Sequence, residues 1–211
     1  VRYITTGALA LLATLGATSL AAQAPTIQTK APGFFAGIGV GPGLFRLSCP
    51  TICVGDRFWG WSGNARAGIS VGKQWLLGLE ANAWRDTRRP EDEDAIKQSM
   101  WLVGPVAYLY PTPDRKLNLK LSIGALKYAQ SDPDDVDDEN DQDNFSATAA
   151  GVTLGVAYDV PIADRLHISP FFSFTGSIGF TGSDLTRGDG QPISEEPNFS
   201  LIQLGISLVY R

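Results

Sequence analysis

From Gly33 onward, apolar side chains recur at every second position over stretches long enough to cross a bilayer as tilted strands, which takes roughly 9 to 11 residues. In the first stretch Phe34, Ala36, Ile38, Val40, Pro42 and Leu44 share one parity, and from Gly37 onward the other parity is glycine. The second sets Ala65, Ala67, Ile69 and Val71 against Asn64, Arg66, Gly68, Ser70 and Gly72. The third sets Trp75, Leu77, Leu79, Ala81 and Ala83 against Leu76, Gly78, Glu80, Asn82 and Trp84. Comparable faces follow at Leu117–Ala125, Val152–Val160, Leu166–Phe174 and Ile202–Tyr210. Only Met100–Tyr110 is apolar on both parities, and its outward set is read as Trp101, Val103, Pro105, Ala107 and Leu109. Because successive strand side chains point to opposite faces, each stretch predicts a strand with one apolar and one mostly polar side.

The connections carry a second signal, for they alternate between long and short. Long ones are expected at Arg46–Trp61, Asp86–Gln98, Ser131–Asn144 and Thr181–Pro197, and short ones at Gly72–Gln74, Pro111–Arg115 and Pro161–Arg165. Together these features predict an all-β fold, an eight-stranded antiparallel up-and-down transmembrane β-barrel with long loops at one end and tight turns at the other. Closure removes sheet edges, which matters most in lipid, where an unpaired backbone group costs several kcal/mol. The segments Gly78-Leu79-Glu80-Ala81-Asn82, Tyr158-Asp159-Val160-Pro161 and Leu204-Gly205-Ile206-Ser207-Leu208-Val209-Tyr210 resemble those of the OmpA-type, opacity-porin-like outer-membrane β-barrel superfamily. The resemblance spans nearly the whole chain after its N-terminus. It implies an outer-membrane location, outer-membrane lipid and lipopolysaccharide as neighbours, and the barrel-assembly machinery as a partner in biogenesis. Members usually end on an aromatic residue, whereas here Tyr210 is followed by Arg211.

The N-terminus is set apart by composition. Arg2, the apolar run Gly7–Leu20 and the small residues of Ala21-Ala22-Gln23-Ala24 read as a Sec-type signal peptide over 1–24, with a short linker over 25–32 and the barrel over 33–211. Export makes the compartment oxidising, so Cys49 and Cys53, close together in a loop with no histidine nearby, are expected to form a disulfide rather than a metal site. A net charge of −5 lacks the basic face that nucleic acid requires, so none is expected as a partner. A monomer is expected.

Candidate chemistry follows from parity. Centring the first tight turn on Lys73 places Arg66 opposite Glu80 on the polar face, and Lys120 joins them as an interior polar network. Buried charges must pair, so a plugged polar core is expected, as suits eight strands whose interior side chains fill. Centring the last short turn on Ala163 places Asp159 opposite His167, with Ser169 nearby. His167-Ile168-Ser169 resembles the His-x-Ser of lipid A deacylase barrels, but a position at the turn end is the wrong leaflet for that chemistry, so no enzyme activity is expected. The acidic loop contains Asp134, Asp135, Asp137, Asp138 and Glu139. Calcium takes several oxygen ligands from such loops, yet the EF-hand glycine and terminal glutamate are missing, so a solvated loop is favoured over a Ca²⁺ site and no cofactor is expected. Arg46, Arg85 and Lys127 fall on the outward parity near the loop end, where they are positioned to meet lipopolysaccharide phosphates. Tyr158, Tyr210, Trp75 and Tyr108 cluster toward the turn end as an interfacial aromatic girdle would.

The leading expectation is an integral outer-membrane barrel with a structural, adhesive or envelope-interaction role carried by four loops. The alternatives are a narrow channel or transporter for ions or small hydrophobic molecules, a soluble lipocalin-like binding barrel with its apolar face inward, and a lipid A-modifying enzyme.

Overall fold

The computed structural model describes residues 33–48, 57–88, 96–131, 145–178, 185–187, 192–194 and 197–211. The expected signal peptide, the linker, Cys49, Cys53 and the acidic loop lie outside these residues. The strands are β1 (Phe34–Ser48), β2 (Arg57–Val71), β3 (Trp75–Arg88), β4 (Ile96–Leu109), β5 (Leu117–Ser131), β6 (Phe145–Tyr158), β7 (Val160–Ala163), β8 (Leu166–Ile178), β9 (Leu185–Arg187), β10 (Pro192–Ser194) and β11 (Asn198–Tyr210).

Eight walls close the barrel: β1 to β5, the β6–β7 run interrupted only at Asp159, β8 and β11. Neighbours pair antiparallel all the way round, with β1 joined to both β2 and β11, and β8 joined to β11, β6 and β7. The short β9 and β10 pair with each other, and β9 extends the sheet beside the start of β6. They fall inside the expected Thr181–Pro197 connection. Strands also run further toward the loop end than their apolar stretches suggested: β2 begins at Arg57 and β3 continues to Arg88.

The faces sort as the alternation requires. Ile38, Val40, Leu79, Trp101, Leu121, Leu154, Phe172, Leu204 and Ile206 are exposed on the outside, whereas Asn64, Glu80, Asn82, Ser122, Thr153, Ser173 and Gln203 are buried in the lumen. β4 follows the expected parity, with Trp101 and Val103 outward and Met100, Leu102, Val106 and Tyr108 inward. Trp75, Tyr158 and Tyr210 are exposed near the turn end, but Tyr108 is buried and belongs to the interior.

Glycine placement explains how so narrow a lumen accepts large side chains. The inward face of β1 is glycine because Arg66, Asn64 and Trp84 seat against it: a Cβ at Gly37 would lie 3.0 Å from Arg66 Nε, at Gly39 2.8 Å from Asn64 Nδ2, and at Gly43 2.7 Å from Trp84 Cδ1. Gly68 and Gly78 face each other across β2 and β3, and a Cβ at either would meet the opposing backbone at 2.1 Å. The turn after β2 uses Gly72 at φ 80°, a left-handed conformation that glycine adopts without steric cost.

The lumen is layered rather than uniformly polar. Its loop-side half is an apolar plug of Phe45, Trp84, Met100, Leu102, Leu126, Tyr128, Phe199 and Leu201, all buried. Phe45 stacks on Trp84 at 4.7 Å and on Tyr128 at 5.3 Å between ring centroids. The expected plugged polar core is therefore confined to the middle and turn-side layers, where it shares the lumen with a second buried cluster of Phe35, Leu76, Val106, Tyr108 and Tyr110. The physical reason is that inward positions near the loop end carry bulky apolar groups, which fill the cross-section without needing partners.

Candidate functional site

The mid-lumen network is organised by Glu80. Its Oε1 accepts from Lys120 Nζ at 2.8 Å and from Asn82 Nδ2 at 2.6 Å, and its Oε2 accepts from Tyr108 Oη. Arg66 is the direct register partner of Glu80 across β2 and β3. The ion pair of Glu80 nevertheless runs to Lys120, while Arg66 donates to Tyr108 Oη at 3.2 Å, its guanidinium 4.9 Å from the ring centroid. Tyr108 therefore stands between the Arg66 guanidinium and the carboxylate, a role that sequence reasoning missed. A cavity of about 10 Å³ lies among Arg66, Tyr108, Asn118, Lys120 and Phe171, with space for about one water. The group is two cations around one carboxylate, satisfied by neighbours and without room for a substrate.

Asp159 organises the turn-side layer. Its carboxylate accepts from Tyr110 Oη at 2.9 Å, Asn118 Nδ2 at 3.1 Å and Ser169 Oγ at 2.6 Å, and it pairs with Arg211 at 3.1 Å. The register corrects the expected Asp159–His167 pair: Val160 faces Ile168 and Pro161 faces His167, which sets Asp159 level with Ser169. The turn is made by Asp164 and Arg165, and the register shifts between Pro161 and Ala163. The later turn and this one-residue irregularity together set the pairing two residues from a turn centred on Ala163, which preserves every face. The imidazole does not bridge the carboxylate and the hydroxyl, so the geometry is that of an anchoring carboxylate, not of a nucleophile with its base. Arg211 adds a hydrogen bond to the Arg115 carbonyl at 2.8 Å and lies 4.8 Å from the Tyr110 ring centroid, tying β11 to the β4–β5 turn across the mouth. In that turn Thr112 Oγ1 donates to Asp114 Oδ1 at 2.6 Å, which holds the Asp114 carboxyl below the usual carboxylate range.

Outside the barrel, Arg46, Arg85 and Lys127 are exposed on outward parity near the loop end, on β1, β3 and β5. No metal-binding group of His, Cys, Asp or Glu occurs among the described residues.

No family model matches the chain, and no curated protein matches it in sequence. Solved structures do match. Ail, the attachment invasion locus protein of Yersinia pestis, solved with the heparin analogue sucrose octasulfate, superposes with a TM-score of 0.52 at 11% identity, covering 84% of this chain and 99% of its own. Neisserial surface protein A superposes with a TM-score of 0.52 at 10% identity, covering 86% and 99%. The fold is that of the eight-stranded outer-membrane barrels. The short turns lie at the end of the barrel that holds Asp159 and Arg211, and the long connections at the end that holds the apolar plug. The lipocalin-like alternative is overturned by the faces: the apolar parity points outward and the lumen is filled.

Proposed function

We propose that this chain is an integral outer-membrane protein whose sealed barrel anchors four extracellular loops in a structural, adhesive or envelope-interaction role. The carrying observation is the pairing of an exposed apolar belt on every wall with a lumen closed at two levels. Such a belt is far larger than the few hundred Å² that a soluble monomer exposes, and only hydrocarbon makes it favourable. Along the lumen, Phe45, Met100, Leu102, Leu126 and Leu201, each fully buried, stand between the loop end and the Glu80 network. On the periplasmic side, Asp159 and Arg211 close the mouth. A plug of packed aromatics favours anchoring over conduction, and the four partners of Asp159 use its carboxylate as a structural anchor.

Planar-bilayer recording tests this reading. The purified, inserted protein is expected to give no steady conductance above the bare membrane, whereas Phe45→Gly with Trp84→Gly is expected to produce discrete openings. Steady single-channel currents from the unaltered protein would overturn the sealed-anchor reading in favour of a narrow channel.

A further inference from the structure

The register of β1, β2 and β3 brings together an outward group that the alternation alone did not reveal. Arg46 lies directly opposite Arg57, Leu44 opposite Trp59, Pro42 opposite Trp61, and Trp61 in turn opposite Arg85. Directly opposed like charges destabilise a sheet, and opposed Cβ atoms stand only about 4.5–5.5 Å apart. Neither Arg46 nor Arg57 has a hydrogen-bond or ion-pair partner among the described residues. Immediately toward the membrane centre, Trp59 and Trp61 are the most exposed indoles of the barrel wall, at 66% and 72%. They border a groove of about 510 Å³ that Pro42, Gly60 and Arg85 also line. The carboxylate in that lining, Asp86, accepts the Thr87 amide at 2.8 Å and is partly buried.

We propose that a phosphorylated lipid of the outer leaflet binds here, its acyl chain lying in the groove along Trp59, Trp61 and Pro42 and one phosphate clamped between Arg46 and Arg57 just beyond the groove's loop-side edge. The proposal rests on the outer-membrane reading above. Two guanidinium forks on adjacent strands match the several acceptor oxygens of one phosphate, and the anion converts a repulsive pair into two charge-assisted contacts. The vertical order also fits an amphiphile and not a free anion: cations sit at the loop edge, indoles at the interface, and Ile38 and Val40 at hydrocarbon depth. Arg85, beside Trp61, offers a contact to a second anionic group on the same headgroup.

Native mass spectrometry of the full chain in non-ionic detergent reads the site directly. The probes are lipid A bearing two phosphates, the same lipid dephosphorylated, and inorganic phosphate. Retention of the phosphorylated lipid, roughly tenfold weaker retention of the dephosphorylated one, and no competition by millimolar inorganic phosphate are expected, the tenfold corresponding to loss of a charged hydrogen bond. Arg57→Gln should weaken retention by about the same factor, and Lys73→Gln, an exposed charge on the periplasmic turn, should leave it unchanged. Equal retention with and without phosphates, no effect of Arg57→Gln, or full competition by inorganic phosphate would each overturn the proposal. Every sample is first checked for a gel mobility shift on boiling. A chain that shows no such shift contradicts the outer-membrane barrel reading itself, whereas a shifted barrel without phosphate preference contradicts only the lipid site.

Discussion

The charge balance around Glu80 makes an asymmetric prediction. Two cations, Arg66 and Lys120, surround a single carboxylate, and the Glu80 and Lys120 side chains are 0% and 6% exposed. Glu80→Gln keeps the volume but leaves two buried cations without an anion; removing one partner of a buried pair costs about 3–5 kcal/mol. Lys120→Met is different. Glu80 then keeps its bonds from Tyr108 and Asn82, Arg66 remains behind Tyr108, and the group becomes one cation and one anion. The expected cost falls to about 1.5–3 kcal/mol, the value of one hydrogen bond to a charged group. The double variant should cost less than the sum of the singles, because Lys120 is harmful only once Glu80 is gone. Reversible urea unfolding from phospholipid vesicles, followed by tryptophan fluorescence and extrapolated linearly, supplies all three values. Should Lys120→Met prove as costly as Glu80→Gln, or the two costs add within about 0.5 kcal/mol, the assignment of Glu80 as the sole neutraliser of both cations is wrong.

Three further outcomes follow from packing and register. Trp84→Ala removes a stacked, fully buried indole from the plug and is expected to cost about 3–5 kcal/mol in the same unfolding assay. Gly68→Ala should impair folding, because its Cβ would sit 2.1 Å from the Leu77 carbonyl, and the measured yield of refolded barrel should drop well below that of Gly63→Ala, whose Cβ would lie 3.5 Å from its nearest neighbour. Asp159→Asn should lower the temperature of the gel-mobility transition clearly, while His167→Ala should barely move it, since the carboxylate and not the imidazole ties four groups together; equal effects would count against the register at the last turn.

Most of the barrel was legible because the lipid-facing parity is a strict requirement on each strand, and seven of the eight stretches met it with alternating residues. β4 was harder, since Met100 and Leu102 feed the internal apolar plug while Trp101 and Val103 face outward, so both faces read alike. The pairing of Asp159 failed for a specific reason: a two-residue shift leaves side-chain faces intact, so parity cannot detect it, whereas a one-residue shift would have exposed itself. Tyr108 was misplaced because its apolar ring and polar hydroxyl suit an interfacial girdle as well as a buried network. Arg57 escaped notice because it precedes the apolar stretch of β2, in a part of the strand that extends beyond the alternating segment. The cross-strand juxtaposition of Arg46 and Arg57 has no signal in either segment alone.

The apolar parity of every wall is expected to face lipid in the outer membrane. Cell fractionation followed by gel electrophoresis of boiled and unboiled samples in detergent tests it most directly. Recovery with the outer-membrane fraction and a band that changes mobility only after boiling are expected, because a closed barrel with every wall paired resists mild detergent. Recovery as a soluble periplasmic protein with one mobility at all temperatures would contradict it.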